Sequence, residues 1–258
     1  VSKYYFATAG KSAVGLVRAG NEDSALTSNS LVAVADGMGG HAAGEVASRI
    51  AIQSLAANGK VFTDSAIDFD SADDLFSQSI ADIDHALALA VDEDPTLTGM
   101  GTTLSALFLR GSSVALLHVG DSRIYRLRGN SFEQLTVDHT VIQELLNQGT
   151  ITEAEVATHP QRSVLTQVLM GDGRVEPSLI LHDAKVDDRF LLCSDGLSGV
   201  LSDKEMKAIL KSKARGTAVD ALVDAAYING APDNVTAIVV DLLDNDIHES
   251  LTYLGAAK

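Results

Sequence analysis

Cysteine is nearly absent from this sequence: Cys193 stands alone among 258 residues. One thiol excludes an intrachain disulfide framework and a cysteine-rich zinc site, and it fits a reducing compartment. No window approaches the roughly 18 consecutive apolar residues of a membrane span, and no basic-then-apolar leader opens the chain. The segment is therefore expected to make no membrane contact. Positive charge is scarce: 19 Lys and Arg against 35 Asp and Glu leave a formal net charge of −16. A phosphate-backbone binder would need the opposite balance, so nucleic acid is not an expected partner. None of the seven His has a partner at zinc-ligand spacing, and neither H-E-x-x-H nor G-x-S-x-G occurs. The chain opens at Val1 rather than Met, which reads as a segment processed or excised from a longer polypeptide.

What is present is an ordinary globular composition, 46% hydrophobic and 21% charged, long enough for one large domain. Short apolar runs recur at Leu31–Ala35, Thr103–Leu109, Val114–Val119, Ile124–Leu127, Leu179–Leu181, Phe190–Cys193 and Val235–Leu243. Most are β-branched or Leu-rich and bounded by Gly, Asp or Asn, as strands are. Phe76, Ile80, Ile83, Leu87 and Ala90 mark the stripe of a long amphipathic helix. Further helices are expected after Gly44 and around Ala218–Ala225, and Thr152 with Glu155 and Ser202 with Glu205 read as capping boxes. Gly-bearing links at Arg110–Ser113 and Arg128–Ser131 favour antiparallel hairpins over βαβ crossovers. The expected class is α+β, with helices outside stacked sheets. Asn58–Asp74 reads as a surface loop, and the stretch after Asp244 as an acidic tail or linker.

Three apolar runs end in an acid beside Gly, at Asp36-Gly37, Gly120-Asp121 and Asp195-Gly196, and Asp233-Asn234 stands just before the last run. Each pair alone is a turn former. Together, at strand ends that can converge, unpaired carboxylates repel one another unless a cation sits among them. Carboxylate, carbonyl and water are hard donors, so the ion expected is Mg²⁺ or Mn²⁺. More carboxylates than one ion needs point to a pair, the arrangement that activates water for in-line displacement at phosphorus. Arg18, four residues before Glu22-Asp23, is either a solvated surface cation or a forked donor for phosphate oxygens. Gly37-Met38-Gly39-Gly40-His41-Ala42 imitates a dinucleotide fingerprint, but Asp36 would face the pyrophosphate. Gly10-Lys11-Ser12 lacks the earlier Gly of a phosphate loop, and Cys193 has no following Arg and reads as a core residue.

These residues resemble the metal-dependent Ser/Thr protein phosphatases, the protein phosphatase 2C family, in their bacterial branch. The resemblance runs from about Thr8 to Leu243, on Arg18…Asn21-Glu22-Asp23-Ser24, Asp36-Gly37-Met38-Gly39-Gly40-His41, Gly99-Met100-Gly101-Thr102-Thr103, Val119-Gly120-Asp121-Ser122-Arg123, Cys193-Ser194-Asp195-Gly196-Leu197 and Asp233-Asn234-Val235-Thr236. It implies a central antiparallel β-sandwich flanked by α-helices on both sides, with the catalytic domain over 1–243 and a tail or linker over 244–258. It further implies that Asp36 bridges two ions, that the Gly37 carbonyl binds one, and that Asp195 and Asp233 bind the other. Asp121 with Asp195 would hold a third, weaker ion, Arg18 the substrate phosphate, and Glu22 and Asp23 the outer shell. Residues from about Asp138 to Leu165 would form a flap beside the substrate. In animal members a His follows the Asp-Gly directly; here Met38 stands there, so the leaving-group acid is open between His41 and a metal-bound water. The implied partners are phosphorylated proteins, Ser/Thr kinases and their substrates. The expected protein is a cytoplasmic monomer, or the cytoplasmic part of a membrane-anchored one, since actinobacterial members of this kind often continue into a linker and anchor. Two other classes stay in view: an N-terminal-nucleophile hydrolase, which Val1 disfavours, and a non-enzymatic module on the same fold.

Overall fold

Most of the apolar runs form strands buried on both faces, which is why they read as continuous rather than alternating. The computed structural model describes residues 4–40, 43–63, 69–156, 158–175, 178–245, 247 and 249–258. In chain order the strands are β1 (Tyr5–Ala13), β2 (Asp23–Thr27), β3 (Leu31–Met38), β4 (Gly101–Thr102), β5 (Leu104–Arg110), β6 (Ser113–Val119), β7 (Arg123–Arg128), β8 (Ser131–Gln134), β9 (Ser178–Asp183), β10 (Arg189–Cys193), β11 (Val235–Leu243) and β12 (Thr252–Gly255). The helices are α1 (Ala43–Thr63), α2 (Phe69–Glu93), α3 (Val141–Asn147), α4 (Glu153–Val156), α5 (Asp195–Ser198), α6 (Asp203–Ser212) and α7 (Arg215–Ile228). One antiparallel sheet runs β1-β11-β10-β7-β8, the other β12-β2-β3-β5-β6-β9 with β4 paired to β3.

Alternation along each strand divides the apolar side chains into three layers of core. Val32 and Val34 of β3 meet Phe190 and Leu192 of β10 and Ile238 and Val240 of β11 between the sheets. Leu31, Ala33 and Ala35 face the other way, against Ala47, Ile52, Phe76, Ile80, Ile83 and Leu87 of α1 and α2. Leu191, Val235, Ala237 and Val239 pack on Met206, Leu210, Leu222 and Val223 of α6 and α7. The layers are therefore helix, sheet, sheet, helix. Each fully buried side chain of the α2 stripe is worth roughly 1.5–3 kcal/mol, enough to fix that helix without strong caps.

The expected hairpins are present, closing Arg110 on Ser113 and Arg128 on Ser131. The reciprocal capping box forms at Ser202 and Glu205. At Thr152 only the Glu155 carboxylate reaches back, accepting from the Thr152 amide at 2.8 Å. The loop expected over Asn58–Asp74 is a correction: residues 58–63 belong to α1 and 69–74 to α2, while 64–68 lie outside the described residues. Ser and Asp are as natural in a first helical turn as in a loop, because acids favour the positive end of the helix dipole. A second difference lies beyond Leu243, where composition reads as an acidic tail. There Glu249 accepts from the Thr8 amide at 3.1 Å, β12 pairs with β2, and Ala257 is buried against the helix-side core. Main-chain pairing on an otherwise open edge needs no apolar run. Among the described residues no helix is long and apolar enough to cross a membrane.

A histidine inside this frame titrates well below its ordinary range. His118 of β6 is buried, with Nδ1 2.9 Å from Ser105 Oγ and Nε2 donating to the Val137 carbonyl at 3.0 Å. Burial, and then the neighbouring His139, push its pKa down to about 4. The unfolded chain takes up this proton near pH 6.5, so the stability carried by neutral His118 is complete above that pH and is lost as pH falls through 4. Relative to His118→Asn, the parent protein should lose about 3 kcal/mol between pH 7 and 4. Denaturant titrations of both proteins across that range check this; a difference that does not change with pH would refute it.

Candidate metal centre

Antiparallel pairing delivers the acidic strand ends to one end of the sandwich. Asp23 opens β2 directly opposite Asp36 near the end of β3. Asp121 follows β6, Asp195 follows β10 as the first residue of α5, and Asp233 precedes β11, whose Ala237 is paired with Cys193 at the end of β10. The carboxylates sense one another strongly. Burial, then Asp23, Asp195, Asp121 and Asp233, push the Asp36 carboxyl well above the usual carboxylate range. Burial and then Asp195 raise Asp121 to about 7, and burial and then Asp233 raise Asp195.

Asp23 is fully buried. Its Oδ2 accepts from Ser194 Oγ at 2.7 Å and from Thr236 Oγ1 at 2.6 Å, yet burial still raises it to about 7. Arg18 lies at the rim. Its Nη2 donates to Asp233 Oδ2 at 2.5 Å and its Nη1 stands 3.5 Å from Glu22 Oε2, while 43% of the side chain remains exposed. Glu22 is raised mainly by burial, with Arg18 opposing.

The backbone around these acids is held by groups to which the sequence reading gave no such holding role. Asn234 accepts from the Glu22 amide at 2.9 Å and donates to the Gly20 carbonyl at 2.9 Å, tying the Arg18 loop to the Asp233 turn. Thr103 Oγ1 accepts from the Asp36 amide at 2.9 Å and pairs with Ser122 Oγ at 2.8 Å. Gly37 donates to the Glu22 carbonyl at 3.1 Å, and a Cβ on it would stand 2.0 Å from the Gly44 carbonyl. Only glycine fits that approach. Such hydroxyls and amides flank the acids in the sequence, but nothing in residue type alone distinguishes them from ordinary turn formers.

Met38, in the place of the animal family's His, is 39% exposed and paired opposite Gly101. His41 lies outside the described residues. Cys193 is buried in the core, and burial pushes its thiol up to about 12, in keeping with a packing role. The expected flap carries α3 and α4 and is closed at its neck by a bridge from Thr140 to Leu165. Between it and the acids lies a cavity of about 760 Å³ lined by Asp121, Asp138, Ile142, Glu153 and Asp195 among others. Arg123 on its wall holds Asp138 at 2.6 Å.

The donor set suits a hard divalent cation. Asp23 Oδ1 and Asp195 Oδ1 are buried without a hydrogen-bond partner, and unpaired buried carboxylate oxygens are unfavourable unless protonated or bound to a cation. Among the described residues no group of three or more His, Cys, Asp or Glu side chains is arranged so that it could hold a metal ion. Arg18 instead engages Asp233.

The sequence model of the family described as Protein phosphatase 2C matches residues 20–225. The Ser/Thr protein phosphatase PstP of Mycobacterium tuberculosis is 42% identical over 96% of this chain, which spans 47% of that relative's length. The Ser/Thr phosphatase stp of Listeria monocytogenes is 35% identical over 88% of the chain and 92% of its own length. The crystal structure of the mycobacterial PstP superposes with a TM-score of 0.86 at 41% identity, covering 93% of this chain and 99% of that one. A PstP catalytic domain in complex with two manganese ions gives a TM-score of 0.84 at 38% identity, with the same coverage.

Proposed function

This chain belongs to the protein phosphatase 2C family, and we propose that it hydrolyses phosphoserine and phosphothreonine in proteins with two divalent cations, Mn²⁺ or Mg²⁺. The observation that carries this reading is the set of mutually repelling carboxylates Asp36, Asp121, Asp195 and Asp233 gathered at one end of the sandwich. The manganese-bound PstP domain supports the choice of ion. When bound, the two cations supply an acidified water for in-line attack on phosphorus and neutralise the charge that develops there.

Asp36, the Gly37 carbonyl, Asp195 and Asp233 are the ligands in this proposal, with Asp121 and Asp195 offering a third, weaker position. Glu22 and Asp23 orient what the ligands hold: Asp23 through Ser194 and Thr236, Glu22 through Arg18. Arg18 binds the phosphoryl oxygens, exchanging its present bond to Asp233 for them while staying beside Glu22. The leaving-group proton would come from His41 or from a water held by the cations. The substrates are phosphoproteins, with Ser/Thr kinases and their targets as the proposed partners, acting in the cytoplasm on a monomeric catalytic unit.

Dephosphorylation of phosphothreonine, phosphoserine and phosphotyrosine peptides with and without Mn²⁺ tests the proposal. Metal-dependent turnover of the first two is expected; turnover that survives chelation would refute it. Arg18→Ala should raise KM about tenfold with a smaller change in kcat, because the guanidinium contributes chiefly to holding phosphate. Unchanged KM and kcat would reduce Arg18 to a surface cation.

A further inference from the structure

A buried carboxylate used by none of these steps sits on α2. Asp84 lies on the apolar stripe of α2 between Ile80 and Leu87 and is 7% exposed. A carboxylate in such a stripe is strongly unfavourable without partners, and both of its oxygens are engaged. The Gly171 amide donates to Oδ1 at 2.7 Å and the Gly173 amide to Oδ2 at 2.6 Å. Both glycines adopt left-handed backbone, with φ of 79° and 68°. A Cβ on Gly171 would stand 2.6 Å from the Ala88 nitrogen, so the turn is pressed against the helix. A cavity of about 360 Å³ lies beside this contact, lined by Asp84, Gly171 and Gly173 among others.

The turn is the end of the flap's return to the body. Upstream, Thr140 bridges Leu165, and Thr102 exchanges backbone bonds of 2.9 and 3.0 Å with Leu169. Thr102 Oγ1 in turn donates to the Asp36 carbonyl at 3.0 Å. The first two anchors are main chain to main chain. The third depends on one side chain, Asp84, and is the anchor that a substitution can release.

We infer that Asp84 is a positioning residue: by gripping the Gly171–Gly173 turn it sets the height of the flap and so the width of the groove that receives a phosphoprotein. The inference rests on the phosphatase reading above. A small phosphate ester needs the acidic cluster and Arg18 but not the flap wall, so the two kinds of substrate separate the effects.

The test compares the parent, Asp84→Ala and Asp84→Asn in Mn²⁺ on a phosphothreonine peptide and on para-nitrophenyl phosphate, with hydrogen exchange along the chain. For Asp84→Ala the peptide KM should rise about tenfold, while kcat/KM for the small ester changes less than about twofold. Amide exchange should accelerate across the flap and the Gly171–Gly173 turn. Asp84→Asn keeps one acceptor oxygen and should give a smaller KM increase; if Asp84→Ala does not fold, this variant decides by the same criterion. An unchanged peptide KM, or equal losses on both substrates, would overturn the inference. A parent protein that turns over neither substrate would instead overturn the phosphatase reading.

Discussion

Asp195→Asn is expected to lower kcat on a phosphothreonine peptide at saturating Mn²⁺ by about 10²–10³-fold, a loss of the size seen when one preorganised charge-stabilising group is removed. The side chain starts α5, and the backbone bond from the Gly199 amide to the Asp195 carbonyl, at 2.7 Å, does not involve the carboxylate. Asparagine keeps the shape and removes the charge. Because burial and Asp233 oppose ionisation of Asp195, the neutral replacement should leave the metal-free protein equally stable or more stable at pH 8. Loss of activity with a gain in stability marks a group retained for chemistry rather than for folding. Steady-state kinetics and thermal melts on the same preparation check both halves. Retained activity would remove Asp195 from the proposed ligand set.

Removing metal is expected to abolish turnover and to expose a dependence of stability on pH. Asp23 and Asp121 have folded values near 7, above the unfolded value near 3.9. Their contribution is therefore fully present below pH 4 and is lost as pH rises through 7, roughly 4 kcal/mol for each group. A cation among them reverses this penalty, and binding itself strengthens as the ligands deprotonate. At 100 times its dissociation constant one bound ion adds about 2.7 kcal/mol. The gap in melting temperature between manganese-loaded and chelated protein should thus widen from pH 5 to pH 8. His118 titrates in part of the same range, in the opposite sense, but it is common to both samples and cancels. A gap independent of pH would mean that the carboxylates do not share an ion.

The sequence made the central strands and the acids at their ends legible for a physical reason: strands buried on both faces are continuous apolar runs, and they stop at turn residues. Strand β1 escaped this reading because it is a polar edge strand, only partly buried over most of its length. Strand β2 is buried throughout, but its five residues, Asp23-Ser24-Ala25-Leu26-Thr27, carry no apolar run. Strand β12 lies in a stretch whose composition reads as a tail. In the site, Asp36, Asp121, Asp195 and Asp233 were visible as repeated strand-end acids. Asn234, Ser194 and Thr236 stood in the motifs without a role of their own, because that role lies in hydrogen bonds between segments more than 40 residues apart. Asp84 was hidden by its position inside a helical stripe, where its partners are backbone amides with no side chain to read.

Anomalous diffraction from crystals soaked in manganese tests the central claim most directly. The account predicts two strong peaks among Asp36, the Gly37 carbonyl, Asp195 and Asp233, with Arg18 released from Asp233 or redirected toward added phosphate. Density without manganese at these residues, in protein shown to be active, would contradict it.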